Sequence, residues 1–521
     1  MQKESRVKKT VLNAKINLIC YFASFITAFF TRKILLDNLG AEFIGFTGTV
    51  GSLLSFLNLA ELGIGTAISY VLYKPIADGD KFKINEVISV LGYLYRIIGL
   101  AILSFGILGS LFLPLIFPNT TLSWTVIYFG YYAYLASSLI GYFVNYKATL
   151  LSADQRNYIV TGYFQLTMTS RVVLQMFLAL YFKSFILYFF IELLGGIVNS
   201  IILNWKINKV YPWLESEIKL GKQLFKKYHE IGKYTKQLFA HKVGEAIQTQ
   251  MTPVLIYSFV SLPVVALYTN YTILTQKIES LVLNAINSSG AAIGNLIAEG
   301  NKERILKVFR ELLALRFFIA TIVGTCIYEF ASQFIGVWLG GEYILDNITV
   351  VFIAIMSTLR IANGVPAQFM LGYGLFADVW APLAEGAILI IFAIAGGYTW
   401  GLPGVLLGPL ASTIIIISIW KPYYLFSKGF KISVSKYWRI VLVHTVSAII
   451  AFTISHYLYN STIKPIITFT SWTELIIEGV LVAITMTLLT FISFYVTSKG
   501  FRDIVGRTTV FSRLQRYRKR L

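Results

Sequence analysis

Ala77-Asp-Gly-Asp-Lys-Phe-Lys-Ile84 and Ala298-Glu-Gly-Asn-Lys-Glu-Arg-Ile305 are one short phrase written twice: a small residue, an acid, glycine, Asp or Asn, lysine, a variable position, a base and isoleucine. Each copy follows a long apolar segment striped with polar residues, and each leads into another apolar segment. Six membrane-length segments separate the copies. An even number returns the chain to the same side, so the repeat is parallel, with its axis along the membrane normal. Two six-helix lobes follow from that spacing, and proteins built this way hold their substrate between the lobes.

Composition agrees with a membrane setting. Of 521 residues, 56% are hydrophobic and 13% charged, with a mean hydropathy of +0.69. Soluble domains carry about 25% charged residues, so this chain has too few to cover a water-facing surface. A helical span needs about 20 apolar residues to cross roughly 30 Å of hydrocarbon. About fourteen such spans are legible, at 11–36, 43–73, 87–117, 121–150, 158–182, 184–205, 242–260, 263–298, 305–335, 348–374, 380–398, 403–427, 438–459 and 475–497. Loop punctuation falls between them, at Phe117-Pro118-Asn119, Gly340-Gly341, Gly401-Leu402-Pro403 and Lys464-Pro465. The expected fold class is all-α, a polytopic membrane protein with about fourteen transmembrane helices. Residues 1–210 form an N-terminal lobe, 211–241 a basic cytoplasmic loop, 242–430 a C-terminal lobe, 431–500 two extra helices and 501–521 a basic cytoplasmic tail.

Charge gives the orientation, because Lys and Arg favour cytoplasmic loops. Alternate loops hold Lys74, Lys81 and Lys83; Lys147 and Arg156; nine lysines from Lys206 to Lys242; Lys302, Arg304, Lys307 and Arg310; Lys421 through Arg439; and the tail Arg513 to Arg520. The loops between them hold almost none, as in Gly341-Glu-Tyr-Ile-Leu-Asp346. Both termini are therefore expected on the cytoplasmic side. Basic Met1–Lys9 runs into a span too long for a signal h-region and lacks a small-residue cleavage pattern. The net charge of +20 is spread over every cytoplasmic loop. That pattern suits orientation and contact with anionic membrane lipids, not a nucleic-acid surface.

Four spans carry polar residues at helical spacing. The first has Asn13, Asn17, Cys20, Ser24, Thr27 and Thr31, and its counterpart, the seventh, has His241, Glu245, Gln248 and Thr252. At the offset of the repeat Ser24 falls on Glu245, Thr27 on Gln248 and Thr31 on Thr252. The second span has Ser55, Asn58, Glu61, Gly65 and Ser69; its counterpart, the eighth, has Gln276, Ser280, Asn284, Asn287 and Asn295, with Lys277 beside the stripe. Any one of these residues can serve simply to join helices. Matching stripes in both halves point instead to a wet cleft.

Buried charge is more telling. Arg32, Glu61, Arg171, Glu245, Lys277 and Arg360 lie inside spans, where a charge costs about 2.5–3.5 kcal/mol at the bilayer centre. They pair with one another, as Glu245 and Lys277 could, or they face a cavity. Arg171 shares a face with Thr167 and Gln175. The balance leans basic, and guanidinium groups suit phosphate, so the expected ligand is an anion. Arg32, Arg171, Lys277, Arg360, Asn17, Asn58, Gln248, Gln276 and Asn284 are candidate substrate contacts; Glu61 and Glu245 are candidates for ion coupling or buried ion pairs. Cys20 and Cys326 sit in spans as packing residues, and the four histidines are scattered, so no metal, cofactor or catalytic constellation is expected.

Several segments resemble one family. Asn58-Leu-Ala-Glu-Leu-Gly-Ile-Gly-Thr-Ala-Ile68, Leu72-Tyr-Lys-Pro75 and Asp78-Gly-Asp-Lys-Phe-Lys-Ile84 resemble the second-helix region of bacterial Wzx-type polysaccharide repeat-unit flippases. These belong to the multidrug/oligosaccharidyl-lipid/polysaccharide (MOP) exporter superfamily. Leu150-Leu-Ser-Ala-Asp-Gln-Arg-Asn-Tyr158, Tyr211-Pro-Trp-Leu214 and Gly294-Asn-Leu-Ile-Ala-Glu-Gly300 are similar to further parts of that family. The resemblance implies a MATE-like, V-shaped transporter in the bacterial cytoplasmic membrane. It would carry undecaprenyl-diphosphate-linked oligosaccharide to the outer leaflet by alternating access, through a cation-lined cavity between lobes. It also implies H+ or Na+ as coupling ion and a polysaccharide polymerase and chain-length regulator as partners. Twelve spans are usual in many relatives, which leaves the last two to serve as a lipid groove or as packing. A peptidoglycan-precursor flippase and a cation-coupled multidrug antiporter of the same superfamily remain open. A membrane polysaccharide polymerase or ligase fits less well, because no sizeable outer loop exists to hold catalytic residues; the chain is expected not to be an enzyme.

Overall fold

The computed structural model describes residues 6–57, 64–118, 120–287, 293–294, 296–297, 299–375, 378–463 and 471–507. Among these no strand forms, and each of the fourteen expected spans falls on helix. The long helices are α1 (Arg6–Leu57), α2 (Ile64–Asp78), α3 (Lys81–Ser110), α4 (Trp124–Phe143), α5 (Asn157–Phe182), α6 (Phe185–Val210) and α7 (His229–Phe259). They continue with α8 (Leu262–Asn287), α9 (Lys302–Trp338), α10 (Asn347–Gly372), α11 (Trp380–Trp400), α12 (Leu402–Phe430), α13 (Ser435–Thr462), α14 (Trp472–Thr497) and the short α15 (Lys499–Arg507). Among the described residues nine helices are long and apolar enough to cross a membrane by length and composition alone. The others are tyrosine-rich α4, α2 with 15 described residues, and the polar-striped α5, α7 and α8; polar content lowers the hydropathy of the last three without shortening them.

The chain divides into two compact units, Met1–Ala266 and Leu267–Leu521. In the first, α1 bends at Gly40 (φ 83°, ψ 163°), so that one long element supplies the first span and the start of the second. A left-handed φ of this kind is open to glycine at little cost. α1 packs against α5 and α7, and α6 against α4 and α5. Their core is aromatic: Phe43 stacks on Phe185 at 4.8 Å and tilts against Phe189 at 5.3 Å, while Phe46 meets Phe117 at 5.2 Å. In the second unit, Phe309 of α9 gathers Phe369, Phe426 and Phe430 edge-on at 5.2–5.5 Å. Outward faces are apolar. On α14, Ile476 is 61% exposed and Ile492 59%, an arrangement that lipid solvates and water would not.

The duplicated phrase builds the same turn twice. Gly79 (φ 71°) and Gly300 (φ 74°) each leave the preceding helix in the left-handed conformation. The next residue caps the following helix: the Asp80 side chain accepts from the Lys83 N–H at 3.0 Å, and the Asn301 side chain from the Arg304 N–H at 3.0 Å. The first backbone bond of each new helix, Ile84 to Asp80 and Ile305 to Asn301, also matches, at 3.1 and 3.0 Å.

The lysine-rich segment after α6 is not all loop. Residues 211–228 form a strap laid on the near end of α3, and α7 begins at His229, well before the hydropathic span. Tyr211 donates to Asp154 (2.8 Å), the Glu217 N–H to Ser89 (2.8 Å), and both Lys227 and Tyr228 to Glu86 (2.8 and 2.6 Å). Burial, then hydrogen bonding to Glu86, pushes the Tyr228 hydroxyl above its ordinary range; burial, then Asp154, does the same to Tyr211. Both phenols stay protonated donors. At the other end of the chain, α15 docks Phe501 and Val505 against Ala314 and Phe494, and Arg507 pairs with Glu311 at 2.9 Å.

Candidate functional site

α5 presents Thr167, Arg171 and Gln175 at four-residue spacing, which places them one above another on a single face. That face meets α6. Arg171 Nη1 lies 2.5 Å from Glu192 Oε1, with the two side chains 19% and 9% exposed. Gln175 donates to the other Glu192 oxygen at 3.1 Å and to the Tyr188 carbonyl at 3.2 Å. Thr167 donates to Asn199 at 2.9 Å. Two glycines on α6 make the room: a Cβ on Gly195 would stand 2.5 Å from Arg171 Cδ, and one on Gly196 2.6 Å from Ser137 Oγ.

Beside this cluster lies a cavity of about 810 Å³, lined by residues of α2 to α6 and the turn after α4. Its polar wall includes Ser69, Ser137, Asn145, Thr167, Arg171 and Asn199. Asn145 accepts from Ser200 at 2.8 Å and from Asn204 at 2.9 Å, which fixes its amide. Ligand pockets run to about 300–1,000 Å³, so this one has the size for a small polar group. Hydroxyls and amides around a guanidinium already paired with Glu192 suit a hydroxylated one.

The second unit holds its own pair. Arg360 of α10 faces Glu279 of α8 at 3.5 Å, with side chains 37% and 8% exposed. Gln276, Tyr268 and Ser357 share its pocket, whose free volume is only about 20 Å³, room for roughly one water. A different cavity, of about 540 Å³, runs between α8, α9 and α14 and is walled by Leu274, Ile322, Phe330, Phe334, Trp472 and Leu475 among others. Its lining is almost wholly apolar.

The structure thus joins Gln276 to Arg360 and sets Arg171 in the larger cavity. Arg32 donates to the Ala266 carbonyl at 2.8 Å. Asn17 is exposed on α1, and Gln248 and Lys277 are half-buried. Asn58 and Glu61 lie outside the described residues, as do the side chains of Glu245 and Asn284. The acids Glu192 and Glu279 escaped the sequence reading, although a glutamate inside an apolar span was signal enough. Their presence changes the charge: each arginine has a carboxylate beside it, so neither pocket carries an unmatched cation. Buried Arg316, Glu329 and Glu478 were missed in the same way. Among the described residues no group of His, Cys, Asp and Glu could hold a metal ion, and the two cysteines are free.

No protein-family model matches the chain, and no curated protein matches its sequence. Solved structures do resemble it. An inward-facing multidrug resistance MATE family transporter of the MOP superfamily aligns at TM-score 0.59 and 16% identity, over 80% of this chain and 98% of that one. The lipid II flippase MurJ, in an inward closed conformation, aligns at TM-score 0.62 and 14% identity, over 95% of this chain and 100% of that one. A mutant of the Vibrio cholerae MATE transporter VcmN aligns at TM-score 0.52 and 15% identity, covering 82% and 99%. At such identities the likeness establishes the fold: it is that of MOP superfamily transporters.

Proposed function

We propose that the chain is a flippase that carries undecaprenyl-diphosphate-linked oligosaccharide from the cytoplasmic to the outer leaflet of the bacterial cytoplasmic membrane, with both termini in the cytoplasm. The observation that carries this reading is the presence, in one chain, of two cavities of opposite chemistry. One is polar and contains Arg171; the other is apolar and bounded by α14. A polar cavity of this kind suits a sugar-phosphate head and an apolar one an isoprenoid tail, the two chemistries of such an amphiphile. The second cavity also gives the last span a role.

Arg171 serves this cargo by exchange. Glu192 holds the guanidinium in place while the cavity is empty, and an arriving phosphate takes over the fork-shaped donor set. The carboxylate left behind is still held by Gln175. Thr167, Asn199 and Ser137 face the sugar hydroxyls. Lys277 and Arg360, with Arg32, offer further cationic contacts, and Asn17, Asn58, Gln248, Gln276 and Asn284 polar ones. A proton or sodium gradient drives the cycle, with Glu61 and Glu245 as candidate couplers. A polymerase and a chain-length regulator act on the delivered units. The protein itself breaks no bond.

A peptidoglycan precursor is the second reading, favoured by the alignment with a lipid II flippase over 95% of this chain. The two separate in one experiment. The gene is expressed in a strain lacking its repeat-unit flippase and in one depleted of its lipid II flippase, with membrane level controlled. Restored surface polysaccharide in the first is the expected outcome; rescued growth in the second alone moves the substrate to the precursor. In the first strain, Arg171→Ala, Lys277→Ala and Arg360→Ala are expected to lower restoration. Full restoration by all three would remove the cations from the mechanism. Drug resistance conferred without either rescue would favour an antiporter.

A further inference from the structure

Glu329, His456 and Glu478 take no part in either cavity's polar chemistry. They sit on α9, α13 and α14, which pack on one another. At 1.5 Å per residue they lie about 14, 9 and 9 Å in from the helix ends away from the basic loops, within about one turn of each other. His456 Nδ1 is 2.6 Å from Glu329 Oε1; the Glu329 side chain is 6% exposed and that of His456 39%. Tyr328 of α9 and Phe452 of α13 lie against the imidazole, with centroids at 5.7 and 5.6 Å. Asn460 reaches its Nε2 at 3.1 Å. Glu478 is fully buried, and the Tyr459 hydroxyl stands against it and against Gln333, one turn beyond Glu329. The titratable groups facing the imidazole are therefore Glu329 and Tyr328 from α9 and, behind them, Glu478 of α14 and Tyr459 of α13, with the Cys326 thiol close to Glu329.

We propose that Glu329 and His456, backed by Glu478, form a proton-binding site that fastens α13 and α14 to α9. Carboxylates in a hydrocarbon layer need a proton or a cation. Imidazole is the side chain whose charge ordinarily changes between about pH 5 and 8, and this one reaches the surface. With the proton on the ring, its N–H donates to Glu329 and the two form an ion pair. When the proton leaves, the carboxylate faces either a lone pair or a neutral N–H, or takes a proton of its own. One proton thus decides how α13 is joined to α9, with the buried Glu478 of α14 behind the contact. The site stands whatever the cargo, since it involves no substrate contact.

The test uses the full chain in lipid nanodiscs, 15N-labelled at the histidine rings and followed from pH 5 to 8.5. Four histidines are present, and the signal missing from His456→Gln belongs to His456. Glu329→Gln is expected to displace the His456 midpoint, with the other imidazole signals in place. Hydrogen exchange of α13 and α14, corrected for intrinsic rate, is expected to vary with pH in the native chain and to be level in His456→Gln. A midpoint that neither Glu329→Gln nor Glu478→Gln displaces overturns the site, as does a titration without any change in exchange. These readouts need no transport, so their failure is separate from failure of the flippase reading.

Discussion

The two units each bury an arginine against a glutamate, and they do it differently. Arg171 and Glu192 sit 2.5 Å apart, with Gln175 on the second carboxylate oxygen and a large cavity alongside. Arg360 and Glu279 are 3.5 Å apart, with the arginine about twice as exposed and almost no free volume around it. The same residue types therefore give one pre-set, ligand-sized site and one loose pair able to trade its contact for water. Position in a span does not separate them. Backbone does: glycines at 195 and 196 let α6 come close to the α5 arginine and the α4 serine.

The largest expected contrast is in stability. Glu192→Ala strands a nearly buried guanidinium and should cost about 3–5 kcal/mol. Glu279→Ala, whose partner is more than a third exposed, should cost about 1 kcal/mol or less. Thermal unfolding of both variants in one detergent measures this, and equal losses would erase the distinction. Next comes transport. Arg171→Lys keeps the charge and loses the planar fork, which should lower activity about tenfold, a change of about 1.4 kcal/mol; Arg360→Lys should be tolerated. Complementation at matched membrane levels reads both. Gly195→Ala should then cost about 1–3 kcal/mol through overpacking on Arg171, while Gly141→Ala, with open space around its Cβ, should be neutral in the same unfolding assay.

The smallest effect separates the two copies of the repeated turn. The Lys83 N–H holds the Asp80 carboxyl below its ordinary range. The Asp80 cap therefore contributes stability above the unfolded carboxyl value of about 3.9, and that contribution is lost as pH falls through the lower folded value. Asn301 has no such proton. Hydrogen exchange at the start of α3 should quicken in acid while that at the start of α9 does not, after correction for intrinsic rates. Parallel behaviour would show that something other than the cap holds the first turn.

The repeat was readable because turn chemistry is local: Gly79 and Gly300, then Asp80 and Asn301, need only their own neighbours to form the cap. Spans were readable because hydropathy needs only a window. The strap and the start of α7 were not, since a helix that begins in the lysine-rich stretch at His229 looks like loop to a hydropathy scan. Nor were the acids opposite the arginines. Glu192 follows Arg171 by 21 residues and Glu279 precedes Arg360 by 81, and no window joins them. The cation-rich reading followed from counting the bases and overlooking their partners. The cavity escaped for another reason: it is shaped by what Gly195 and Gly196 lack.

The dividing line at Ala266 has a consequence for biosynthesis. α7 packs on α1 and α2, so the first unit lacks a wall until that helix has emerged, although six spans and the strap are already made. Domains close in the order in which the ribosome supplies them. A nascent chain halted in the strap therefore holds α1 and α2 with an open seam. Insertion machinery would therefore meet α1 and α2 with their α7-facing sides uncovered until that helix arrives.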